Sequence, residues 1–166
     1  MARIARNTVA SAAAIAVALS LLHATPVVAG QTPQTPESSM KVCGLLPRAE
    51  VKQLIGGDPV FDMMPPQEHP IGNYGSSCDY PGVTIQVLPF LQGTIDAARK
   101  RGKLEDVAGV GDAAYAFDNP AGYAELYVTV GTHLLTLQRD VPTGKTAASV
   151  RPGAIALAKA LVPKLR

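Results

Sequence analysis

The pattern of this 166-residue chain predicts an α+β fold built on one antiparallel sheet. Three observations carry that expectation. Residues 74–88 and 112–139 alternate apolar and polar side chains around Gly-containing turns, which is the signature of hairpins. Residues 45–55, 94–101 and 152–165 space their apolar side chains for helices instead. Adjacent hairpins favour antiparallel pairing with helices gathered to one side, so five to six strands and three helices, mainly on one face, are expected.

The chain opens with the layout of an export signal. Arg3 and Arg6 give a positive start, residues 9–22 form a largely apolar run of 14, and VVA precedes Gly30 with small residues where a signal peptidase cuts. The run is shorter than the roughly 20 residues of a membrane span, so residues 1–29 are expected to be removed and no span to remain. Ile4 and Ala5 separate the two arginines, which points to the general secretory route. A periplasmic or secreted protein follows. Residues 30–39, GQTPQTPESS, lack apolar periodicity and predict a disordered linker. Residues 40–166 then form a single domain.

Within that domain, residues 45–55 carry Leu46, Val51, Leu54 and Ile55 on one side, with Pro47 in the first turn and Gly56-Gly57 as a stop. A short strand is expected around Val60. The three prolines of MMPPQEHPIG, residues 63–72, predict a loop. Tyr74, Ser76, Cys78 and Tyr80 share a face, Pro81-Gly82 turns, and Val83, Ile85 and Val87 answer them. The Cys78 face is expected to look toward the helices. A second helix runs from an N-cap at Thr94 to Gly102. Strands follow at 112–117, 123–130 and 133–139, then a last helix from Pro152 to Leu165, frayed by Pro163. The element order repeats (helix, strand, hairpin), so an internal duplication is expected from order rather than from residue identity.

Charge and cysteine count narrow the function. Of 15 basic residues, Arg3 and Arg6 lie in the signal, which leaves 13 against 13 acids and no broad basic surface for nucleic acid or anionic membrane. Cys43 and Cys78 are the two cysteines, and an oxidising compartment allows them one intramolecular disulfide. CGLLPRAEVKQLIGG, SSCDYPG, VAGVGDAAYAF and the Ala-rich closing helix resemble the small exported domains of unknown function common in bacterial envelopes, including many actinobacterial lipoproteins. The resemblance covers most of residues 42–165. It implies an exported α+β domain with a Cys43–Cys78 link and no assigned catalytic residues. Gly30 stands where those lipoproteins carry their lipid-bearing cysteine, so tethering does not carry over.

Motifs with chemical meaning are sparse. GVGDAA, residues 109–114, fits a dinucleotide pattern, but a strand rather than a helix follows, so it reads as a glycine turn. PTGKT, residues 142–146, lacks the first glycine of a phosphate loop, with Arg139 in its place. No cofactor is expected. Ser76 or Ser77 with His133 and Asp112 would make a small exported hydrolase if they converged, although no G-x-S-x-G elbow surrounds the serines. Glu105-Asp106 reads as a surface turn. Met63, Met64 and His69 would suit a copper-handling loop, since thioethers and imidazole are soft donors. Tyr123, Glu125 and Tyr127 face away from the core side of their strand and form the candidate binding face. The sequence therefore predicts a soluble, non-catalytic binding domain whose partner is an envelope protein or small ligand.

Overall fold

A computed structural model describes residues 40–57 and 60–166. The expected signal and the whole of the expected linker lie outside them. Seven strands form one antiparallel sheet: β1 (Gln67–Ile71), β2 (Gly75–Tyr80), β3 (Val83–Pro89), β4 (Glu105–Asp106), β5 (Ala113–Asn119), β6 (Tyr123–Val130) and β7 (His133–Asp140). Their order is β1-β2-β3-β7-β6-β5-β4. Among the described residues four α-helices accompany it, α1 (Arg48–Ile55), α2 (Val60–Met63), α3 (Gln92–Arg101) and α4 (Ala147–Leu161).

The inner face carries the main core. Val83, Ile85, Leu126, Val128, Leu135 and Leu137 point to it and meet α1, α2 and α4 through Val51, Ile55, Phe61, Leu157 and Leu161. Gly56, in the left-handed region at φ 65°, ends α1. α4 crosses that end at Gly153, where a Cβ would lie 3.0 Å from the Leu54 carbonyl and 3.3 Å from the Ile55 Cα. A side chain there would force the two backbones apart by a few tenths of an ångström, so glycine suits the crossing. Arg139, 8% exposed on the same face, donates to the Gly82 carbonyl at 2.8 Å and the Ile55 carbonyl at 3.0 Å, tying β7 to a turn and to α1.

Several expectations are corrected. β1 occupies part of the segment expected to be a loop: Pro70 is tolerated because β1 is an edge strand, with a partner on one side only. Val60 begins α2, not a strand, and buries Phe61 against Tyr80, their ring centroids 5.6 Å apart. Glu105-Asp106 forms the edge strand β4 rather than a turn. α3 starts at Gln92, before Thr94. α4 starts five residues before Pro152, because Thr146 and Ser149 exchange capping hydrogen bonds, and the proline costs one bond near the helix start. A 3-10 turn, Val162–Lys164, holds Pro163. The turn before β5 is as expected, with Gly109 and Gly111 at positive φ.

The pairing is two-fold symmetric. The meanders β1-β2-β3 and β5-β6-β7 meet at β3 and β7, where Ile85 faces Leu137. Rotation about that point carries Val83-Thr84-Ile85-Gln86-Val87 onto Leu135-Thr136-Leu137-Gln138-Arg139. The helices break the symmetry. Among the described helices α3 alone packs on the outer face, through Ile95 and Ala98 over Phe117, Tyr127 and Leu134 of the second meander. Among the described residues no helix is long and apolar enough to cross a membrane.

Candidate functional site

Alternation assigns the outer face of the central strands to Thr84 and Gln86 on β3 and Thr136 and Gln138 on β7. Thr84 pairs with Gln138 and Gln86 with Thr136, so the four make a polar block on the two-fold axis, each half-buried. Their side chains are uncharged and each offers hydrogen-bonding groups. Toward β1 the same face continues with Ser77, Asp79 and His69, whose Nε2 lies 3.3 Å from Asp79 Oδ2. These occupy the symmetry positions of Glu125, Tyr127 and Phe117, which α3 covers. Among the described residues no helix packs on this half, where the His69 and Asp79 side chains are about half exposed and Ser77 is buried.

On the other side of the block lies an ion pair. Glu125, 6% exposed, accepts from Asn119 Nδ2 at 2.6 Å, from Arg101 Nη2 at 3.0 Å and from the Tyr127 hydroxyl. Arg101 also donates to the Tyr127 oxygen, and its guanidinium lies over the Phe117 ring, 5.2 Å from the centroid. Burial opposes the charged carboxylate, but the hydrogen bonds from Tyr127, Asn119 and Arg101 outweigh it and hold Glu125 below its usual range. Burial and the neighbouring carboxylate push the Tyr127 hydroxyl up. The expected open face at Tyr123, Glu125 and Tyr127 is thus corrected. Tyr127 is 4% exposed beneath α3 and Tyr123 remains half-buried, so the accessible outer surface is displaced toward β7, β3 and β2.

Cys43 and Cys78 form a disulfide that joins the short turn Val42–Gly44 to β2 on the inner face. Glu68 on β1 faces it: its carboxylate accepts from the Val42 N–H at 2.9 Å, the Cys43 N–H at 2.7 Å and the Ser76 hydroxyl. The Tyr80 hydroxyl donates to the Cys43 carbonyl at 3.3 Å, and burial, with the Glu68 charge second, raises its pKa.

The other expected sets do not assemble. Ser76 lies in register, through Val87, with Leu135, two residues and two strands from His133, a backbone separation of about 12 Å. Ser76 instead donates to Glu68, Ser77 points to the opposite face, and Asp112 accepts from the Gly131 N–H at 2.6 Å. The copper set is divided by the sheet. His69 is on the outer face with Asp79, whereas exposed Met63 and Met64 accompany α2 on the inner side. Among the described residues, Cys43, Glu68 and Cys78 bring three potential ligand atoms within 4.8 Å of one another, but both sulfurs are committed to the disulfide.

Two grooves lie away from the polar block. The larger, about 670 Å³ beside α1 and α2, is lined by Arg48, Lys52 and Phe61. Arg48 crosses it to donate to the Phe61 and Met64 carbonyls, and Lys52 pairs with Asp62, so its charged groups are occupied in joining the two helices. The smaller, about 300 Å³, holds Arg151 between Glu105 at 2.5 Å and Asp118 at 2.6 Å. Neither offers a free set of converging groups comparable to the block on the axis. Comparison with family models, with curated proteins and with solved structures found no match for this chain.

Proposed function

We propose that this is an exported, soluble, non-catalytic binding domain that recognises an envelope partner or small ligand on the outer face of its central strands. One observation carries the reading. The face is sealed by α3 over the second meander and left uncovered by the described helices over β3 and β7, where Thr84, Gln86, Thr136 and Gln138 stand half-exposed between the His69–Asp79 contact and the Arg101–Glu125 ion pair. With Asp79 held by His69 at one end and Glu125 by Arg101 at the other, a polar, uncharged contact is favoured in the middle, since a charged ligand would have to compete with internal partners. The block's residues sit on paired strands, which hold their side chains in fixed register for recognition.

Export is supported by the Arg3/Arg6 start, the apolar run and the small residues before Gly30, with the disulfide consistent with an oxidising compartment. The shared Thr-x-Gln pattern of VTIQV and LTLQR, on symmetry-related strands, supports an internal duplication whose helices later diverged. The test is equilibrium binding of the purified protein to soluble peptidoglycan fragments, envelope-lipid vesicles and envelope-derived peptides, beside a variant with Thr84, Gln86, Thr136 and Gln138 all changed to Ala. One component should be retained by the parent protein and released by the variant at an unchanged unfolding midpoint. Equal retention by both proteins would remove this face from the function.

A further inference from the structure

We propose that Glu68 is an electrostatic guard on the Cys43–Cys78 disulfide, making its exchange with external thiols selective by charge: slow with anionic thiols and faster with cationic ones. The geometry is specific. A Glu68 carboxylate oxygen and both sulfurs lie within 4.8 Å of one another, and the carboxylate is fixed there by the Val42 and Cys43 N–H groups and the Ser76 hydroxyl. Cys43 is partly exposed and Cys78 is fully buried, so an incoming thiolate reaches the Cys43 sulfur. It forms a new S–S bond there while the Cys43–Cys78 bond breaks, and Cys78 leaves with the electron pair as a thiolate. A second thiolate then attacks the mixed disulfide at the external sulfur. Cys43 leaves, two external thiols have been oxidised to one external disulfide, and the two protein thiolates take their protons from water.

Glu68 opposes both halves of the first step. Its charge repels an anionic attacker, and it destabilises negative charge on the departing Cys78 sulfur. Cations near this site include Lys41, exposed two residues before Cys43, and Arg48, whose charge reaches Tyr80 and whose guanidinium is engaged by the Phe61 and Met64 carbonyls. A cationic thiol gains from the same carboxylate what an anionic thiol loses. At this separation and partial exposure the discrimination should be on the order of tenfold.

The test uses the full chain in its oxidised form, at low ionic strength and mildly alkaline pH. Reduction by cysteamine and by 3-mercaptopropionate is followed by acid quench, alkylation and mass spectrometry, with each rate divided by that thiol's rate on a small neutral disulfide. The normalised cysteamine-to-mercaptopropionate ratio should be on the order of ten and should fall toward one in Glu68→Gln and in high salt. Ser76→Ala, which removes one hydrogen bond to the carboxylate but no charge, should keep the ratio. Loosening of the Val42–Gly44 turn would speed both thiols together, so equal acceleration with an unchanged ratio in Glu68→Gln would overturn the proposal. A parent ratio near one would do the same.

Discussion

Arg101→Met should loosen α3 while leaving the sheet intact. α3 is fixed to the outer face by two fully buried side chains, Ile95 and Ala98, and by Arg101, which reaches Glu125, Tyr127 and the Phe117 ring. The Arg101 side chain is 49% exposed, so its ion pair is discounted for solvent screening to about 1 kcal/mol, even though Glu125 itself is buried. The contact with Phe117 adds roughly 0.5–1 kcal/mol. Methionine keeps most of the apolar stem, so the loss is that of the head group, about 1–2 kcal/mol in all. If α3 opens as its own unit, amide hydrogen exchange over residues 92–101 should accelerate on the order of tenfold, with β3, β6 and β7 unchanged. Two results would refute the reasoning: no change in α3, or an equal acceleration through α3 and the sheet.

Three further outcomes follow from the same structure. Replacing both Cys43 and Cys78 by Ala opens a loop with a sequence separation of 35 and should cost about 4 kcal/mol by loop entropy, read as a lower urea midpoint than that of the oxidised parent. Arg139→Met should cost about 2–3 kcal/mol in the same assay, because the Gly82 and Ile55 carbonyls lose their donors. Glu125 is held below its usual range in the fold, so its contribution is fully present above an unfolded value of about 4.3 and is lost as pH falls through the folded pKa; α3 protection should weaken below about pH 4 in the parent and much less so in Glu125→Gln.

Local patterns in the sequence were enough for the parts of this fold that depend on local patterns. Alternation located β2, β3, β6 and β7, and the Pro47 and Gly56 signals bracketed α1. Edge position decided the rest. Pro70 argues against a strand unless one side of that strand is unpaired, which no local window reveals. The candidate face moved for a similar reason: Tyr123, Glu125 and Tyr127 do point away from the main core, but α3, connected through β3, returns over them. The roles of Glu68, Arg101 and Arg139 escaped notice because, apart from the Ser76 hydroxyl beside Glu68, the partners that fix them lie 24 to 84 residues away and are chosen by topology. A signal for the central block was present. The Thr-x-Gln pattern occurs in both VTIQV and LTLQR, and aligning the two would have placed β3 opposite β7.

The most direct test of the account is a backbone and side-chain amide shift map of the isotopically labelled protein, recorded with the envelope component that it retains. The largest changes should fall on Thr84, Gln86, Thr136 and Gln138, including both glutamine side-chain amides, with α1, α2 and the core amides undisturbed. Changes centred instead on the groove between Arg48, Lys52 and Phe61 would contradict it.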